Sequence, residues 1–193
     1  RAVAELERRG VVKGLITQNI DGLHRRAGSD PIEIHGTLEE GRCLRCDTRV
    51  TRQELLARAD AADDGVPRCE CGFQLKSGVV LFGEMLPEQA LEDAYAAARG
   101  CDVFLSVGTS TVVEPAASLP FAALEAGAAV IEVNPAETPL SAHATIVLAG
   151  AWSGASWKST WVSATPKPAR STAARKKKPV SHAAAKGPGS RTA

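Results

Sequence analysis

The sequence predicts an α/β fold built on a doubly wound parallel sheet, and three observations carry that expectation. Short apolar runs, Val11 to Ile16, Asp102 to Val107 and Ala128 to Val133, alternate with stretches of helical spacing. Each run ends directly in a polar turn: Thr17-Gln18-Asn19-Ile20-Asp21, then Gly108-Thr109-Ser110, then Asn134-Pro135. Strand, polar turn, helix and strand is the rhythm of open parallel sheets, whose ligand groups sit at the carboxyl ends of the strands. The third observation is an interruption. Two close cysteine pairs lie in a segment, Cys43 to Phe73, too poor in apolar residues to build its own core.

In chain order, Ala2 to Arg9 spaces Val3 and Leu6 as a helix does and stops at Gly10. Ile32-Glu33-Ile34 alternates like a strand and leads into His35-Gly36. Inside the cysteine-bearing segment only the QELLARA stretch has helical character. Val79-Val80-Leu81-Phe82 reads as a strand ended by Gly83-Glu84. Pro87 to Ala98 is expected to be a helix, with proline near its start and Gly100 beyond its end. Pro115 to Ala126 is a further helix closed by Gly127, and Ala144 to Leu148 a last short strand.

From Ala151 the character changes. Trp152, Trp157 and Trp161 sit among Ser, Thr and Gly without a usable period, and a Lys/Arg/Pro/Ala/Ser mixture containing Arg175-Lys176-Lys177-Lys178 follows. Such composition predicts disorder. The expected organisation is therefore one α/β domain from residues 1–40 and 79–150, a small metal-stapled module over 41–78, and a disordered basic tail over 151–193.

The net charge of +1 conceals an asymmetry. All 22 acidic residues lie at or before Glu137, whereas 9 of the 23 basic residues follow Gly150. The globular part is acidic and the tail basic. The tail could touch nucleic acid weakly through charge alone, although a run of this kind is more often a solvated extension. No apolar run approaches the roughly 20 residues of a membrane-spanning helix, and no secretory signal is visible, so a cytoplasmic protein is expected.

Cys43-x-x-Cys46 and Cys69-x-Cys71 have the spacing of a four-thiolate tetrahedral zinc site. With four protein ligands that zinc would be structural. Free thiols or a redox pair are the other reading. His35, at a strand end, could act as a neutral general base, whereas His24 serves as readily for packing or capping. Asn19 and Asp21 suit ribose hydroxyls or an amide, or equally an ordinary Asx-turn. Gly108-Thr109-Ser110 is a compact turn that could hold phosphate or ribose, and Asn134 is a weaker candidate of the same kind.

Taken in order, TQNIDGLH (17–24), HG (35–36), the CxxC and CxC pairs, VVLFGEMLP (79–87), VGTS (107–110) and VNPAETPL (133–140) resemble the core motifs of the sirtuin (Sir2) family of NAD-dependent protein deacylases. The resemblance covers about residues 1 to 150. It implies a Rossmann-like NAD-binding domain, a small zinc-binding module, and an acyl-lysine protein substrate meeting NAD between them. It implies a catalytic role for His35, as general base on the ribose hydroxyls, and for Asn19. Gln18, Asn19, Ile20 and Asp21 would contact ribose and nicotinamide, and Gly108, Thr109, Ser110, Asn134 and Pro135 the phosphate and adenosine half. Val80, Phe82, Gly83 and Glu84 would bind the substrate backbone as an added strand.

Three departures qualify the resemblance. The family's glycine-rich opening strand and cofactor loop is absent, and the chain begins at Arg1 inside a helical pattern. A fragment incomplete at its N-terminus, with impaired activity, is the expectation. Lys76-Ser77-Gly78 stands where the family has a basic residue, proline and an acidic or amide residue. After Gly150 the tail replaces the expected closing helix. The alternative function is a non-catalytic zinc- and nucleotide-binding remnant whose tail contacts nucleic acid.

Overall fold

The computed structural model describes residues 1–150 and 160–166, the last two of these by backbone alone. Helix α1 (Ala2–Arg8) leads into strand β1 (Val12–Thr17), a single turn α2 (Leu23–Arg26) and the short strand β2 (Ile32–Glu33). Strands β3 (Glu40–Cys43) and β4 (Arg49–Thr51), helix α3 (Arg52–Asp60) and strand β5 (Leu75–Ser77) follow. Helix α4 (Glu88–Gly100), strand β6 (Cys101–Val107), helix α5 (Leu119–Glu125) and strands β7 (Ala129–Asn134), β8 (Ile146–Ala149) and β9 (Thr160–Pro166) complete the described chain.

Two sheets result. The larger has the order β2-β1-β9-β6-β7-β8, and the smaller the order β4-β3-β5. In the larger sheet β1 and β2 pair parallel, as do β6, β7 and β8. All of their carboxyl ends therefore point one way, which gathers the polar turns at one edge. The main core lies on one face, where α4 and α5 cover Ile16, Phe104, Val130 and Trp161, each fully buried. On the opposite face α1 meets Val12, Leu15 and Val162 through Val3. Helices on both faces are what a doubly wound sheet requires.

Two sequence expectations change here. The disorder expected over 151–193 does not hold for residues 160–166. They form β9, antiparallel to both neighbours, with Trp161 opposite Ile16 on β1 and Ser106 on β6. The physical reason is burial. The slot between β1 and β6 offers unpaired backbone on both sides, and the Thr-Trp-Val segment is β-prone enough to fill it. The remainder of the tail, including the run considered for nucleic-acid contact, lies outside the described residues.

The second correction concerns Val79 to Phe82. This segment is not a strand. Its amides go elsewhere: Val80 N donates to the His35 carbonyl at 2.9 Å, and Leu81 N to Glu84 Oε2 at 3.0 Å. Glu84 N in turn donates to the Leu81 carbonyl at 3.0 Å, and Gly83 has φ +88°. A β-prone run without a neighbouring strand to complete its ladder folds into a turn instead.

Candidate functional site

A cleft of about 590 Å³ opens at the carboxyl end of β1 and is lined by Gln18, Asn19, Ile20, Asp21, His35, the segment Val79 to Glu84, Leu86, Val113 and Glu114. The strand delivers its turn here because β1 ends at Thr17, 1% exposed, whose hydroxyl accepts from Asn19 N at 3.1 Å. Beside it, Ile34 N donates to the Thr17 carbonyl at 3.2 Å, which brings the residue after Ile34 against the same turn. That residue is His35. Burial holds its pKa below the ordinary 6.5, against the Gln18 backbone, which favours the protonated ring. The imidazole is thus neutral at pH 7, a requirement for a general base.

Gly36 allows this approach. Its φ is +70°, and a Cβ there would overlap the Gly78 carbonyl oxygen. The 78–84 segment is therefore pressed onto the His35-Gly36 corner, which only glycine permits. Further along, Glu84 is braced by Lys76 and lies 3.8 Å from Arg42, and the Lys76 ammonium with the Leu81 amide holds its carboxyl below the usual carboxylate range. Phe82 is fully exposed at the cleft margin.

Gln18, Asn19, Ile20, Asp21, His35, Val80, Phe82, Gly83 and Glu84 share the cleft. Asp21 Oδ1 also accepts from Leu23 N at 3.0 Å, the bond of an Asx-turn ahead of α2, so that turn and a place in the cleft coexist. Gly108, Thr109, Ser110, Asn134 and Pro135 stand outside the cleft lining but are tied to it. Gln18 Nε2 donates to Thr109 Oγ1 at 3.3 Å, and Asn134 Nδ2 to the Thr109 carbonyl at 2.7 Å. Thr109 is 3% exposed and links the two halves. His24 is buried, with Nε2 3.3 Å from Thr160 Oγ1, and burial lowers its pKa although Asp21 opposes the shift. It packs against β9 rather than lining the cleft.

Val79, Leu81, Leu86, Val113 and Glu114 also line the cleft and were not identified from sequence. The motif around Val80 and Phe82 points to the first two. Nothing local signals Val113 and Glu114, which reach the site only because the loop after β6 folds back over it.

The four cysteines converge on the smaller sheet. Cys43 and Cys71 Sγ are 3.5 Å apart, Cys46 and Cys69 Sγ 3.7 Å, and all four sulfurs lie within 4.8 Å of one another. Zinc bound tetrahedrally at about 2.3 Å per sulfur requires S···S edges of roughly 3.8 Å, so this donor set fits the ion. Hydrogen bonds from the Thr48 hydroxyl and backbone lower the Cys46 thiol to about 6, whereas the neighbouring cysteine thiols and burial push Cys71 up to about 11, so these crowded thiols ionise unequally.

A mostly parallel sheet with polar turns at its carboxyl edge, a cleft holding His35 and four converging thiols that fit zinc give a Rossmann-like α/β protein with a small cysteine-bearing sheet. The match to the Sir2 family model over residues 1–115 makes the assignment specific, and the chain belongs to that family. It is 46% identical over 142 residues to NAD-dependent protein deacetylase 2 of Streptomyces coelicolor, covering 72% of this chain and 59% of that protein. It is 52% identical over 129 residues to the NAD-dependent protein deacylase of Aquifex aeolicus, covering 66% and 52%. Among solved structures, Sir2 bound to acetylated peptide superposes with a TM-score of 0.72 at 37% identity, over 77% of this chain and 62% of that one. A Sir2 complex with a p53 peptide and NAD+ gives 0.71 at the same identity, over 77% and 62%. The chain thus spans between half and two-thirds of the length of these relatives.

Proposed function

We propose that the chain carries the acyl-lysine side and the nicotinamide side of an NAD-dependent protein-lysine deacylase, which transfers the acyl group to ADP-ribose and releases nicotinamide. The single observation supporting this most is that His35 shares one cleft with Gln18, Asn19, Ile20 and Asp21. The relatives' names, and the peptide and NAD+ in the related structures, supply the substrate classes.

Bound NAD would supply a ribose carbon from which nicotinamide can leave as the acyl-lysine carbonyl oxygen attacks. In this reading His35 accepts the proton from a ribose hydroxyl, which becomes the nucleophile towards the acyl carbon. Gln18, Asn19, Ile20 and Asp21 hold the ribose and nicotinamide, with Asn19 close to the reacting centre. Holding so weak a nucleophile as an amide oxygen at its target is the main catalytic contribution. Val80, Phe82, Gly83 and Glu84 form the wall along which the peptide backbone lies, and Gly108, Thr109, Ser110, Asn134 and Pro135 take the phosphate and adenosine half. Zinc on Cys43, Cys46, Cys69 and Cys71 staples the 41–78 module and stays outside the chemistry. A reducing, cytoplasmic compartment suits four metal-bound thiolates. Among the described residues no helix is long and apolar enough to cross a membrane.

The test measures nicotinamide released from NAD in the presence of an acetyl-lysine peptide. His35→Ala should lower the rate by about 10²- to 10⁴-fold, the usual range for removing a general base. Full turnover by that variant would remove His35 from its role, and no release by the unaltered chain would favour the non-catalytic alternative.

A further inference from the structure

Glu132 is a carboxylate inside the sheet that the chemistry above leaves unused. It lies on β7 two residues before Asn134, is 1% exposed, and faces the helix-covered side with Val130. Both of its oxygens accept from neutral hydroxyls: Thr138 Oγ1 donates to Oε1, and Ser141 Oγ to Oε2 at 2.6 Å. The hydroxyls are themselves engaged. Thr138 N donates to Ser141 Oγ at 2.9 Å and Leu140 N to Thr138 Oγ1 at 3.1 Å, while the Leu140 side chain is fully buried in the core.

The result is a closed clasp that folds residues 134–141 back onto their own strand. A carboxylate buried against hydroxyls alone is a poor stabiliser compared with an apolar side chain of similar volume. The sheet by itself therefore does not explain this residue. What the clasp does explain is the turn. Asn134 emerges from it and donates to the Thr109 carbonyl, and Thr109 Oγ1 accepts from Gln18 in the cleft.

We propose that Glu132 is a positioning residue for the nucleotide, acting through the 134–141 turn on the groups that hold its adenosine half. This rests on the reading of that turn as facing the nucleotide. Acidic residues at strand ends in dinucleotide-binding folds hydrogen-bond ribose directly. Glu132 is sealed from solvent with both oxygens occupied, so its action is indirect.

The test compares two ligands of the full chain, ADP and an acetyl-lysine peptide, titrated calorimetrically. Glu132→Ala should weaken ADP by about tenfold, the worth of a hydrogen bond to a charged group, and leave the peptide unchanged. Glu132→Gln, which can accept one hydroxyl and donate to the other, should restore most of the affinity. Ser141→Ala, a change on the loop that opens no cavity in the sheet, should weaken ADP by about threefold from the same hydrogen-bond argument, and it decides the matter if Glu132→Ala does not fold. Unchanged ADP affinity in either alanine variant, or equal loss of ADP and peptide, would overturn the proposal. ADP and peptide that both bind the unaltered chain, with the variants indifferent, would overturn this inference alone. An unaltered chain that does not bind ADP would overturn the nucleotide reading with it.

Discussion

The two sheets of this molecule are held together by different physics. The larger encloses a contiguous core running from Ile16 through Phe104, Leu119 and Val130 to Trp161, with helices on both faces. The smaller has a core of only Cys43, Val50, Cys69 and Leu75, with Leu55 packed against it, and two of those four are metal-ligand candidates. Helix α3, which spans it, buries no residue at all. Hydrophobic burial is thus enough for the first sheet. The second has little burial, and its four thiols fit an ion that would fix chain otherwise unable to repay its conformational entropy.

The largest effect that could break this contrast is metal removal. Chelation, or Cys46→Ser, should unfold the 41–78 region with a loss on the order of 10 kcal/mol of binding energy, while amides of β6 and β7 keep their protection from hydrogen exchange. Protection lost in both sheets together would mean that they fold as one unit. Next comes Trp161→Ala, which empties a fully buried position between β1 and β6. It should lower unfolding free energy by about 3–5 kcal/mol, read by denaturant titration, with the thiolate site still binding zinc. β1 and β6 are joined through β9 alone in the sheet order, so the loss should be cooperative across the larger sheet.

A smaller change, Gly36→Ala, forces a side chain into positive φ against the Gly78 carbonyl. A cost of roughly 1–3 kcal/mol is expected, accompanied by weaker peptide affinity, because the 78–84 wall must move. Thr51→Ala removes the capping box of α3, in which Thr51 Oγ1 accepts from Glu54 N and Glu54 from Thr51 N. It should cost about 1 kcal/mol and be felt only in the zinc-bearing sheet.

In the larger sheet, acidification should produce the mildest change. His24 and His35 both have folded-state pKa values below 6.5. The unfolded chain then binds more protons just below pH 6.5, so their contribution to stability is present above that pH and is lost as pH falls through the window beneath it. Thermal melts between pH 7.5 and 5.5 would show it. The same depression keeps His35 neutral, so the acid limb of any pH–rate profile should lie below 6.5. A limb above 6.5 would assign the proton step to another group.

Much of this site was legible before any coordinates. The cysteine spacings, the polar turns after β1 and β6, and His35-Gly36 all lie in short local patterns whose chemistry is readable residue by residue. Glu132 was not, because a single acidic residue in a strand carries no local sign that two hydroxyls six and nine residues later will enclose it. Val113 and Glu114 escaped for a similar reason: their place depends on where a loop returns.

Sequence alone determined the α/β class, strands β1, β2, β6, β7 and β8 with helices α1, α4 and α5 of the larger sheet, and the four sulfurs, since periodicity and ligand spacing are local properties. Tertiary structure decided that Val79 to Phe82 bends instead of extending, and that a segment read as tail becomes a central antiparallel strand. Both outcomes turn on which backbone lies alongside. An extended preference says that a segment will pair, whereas the identity and direction of its partner come from chain far away in sequence.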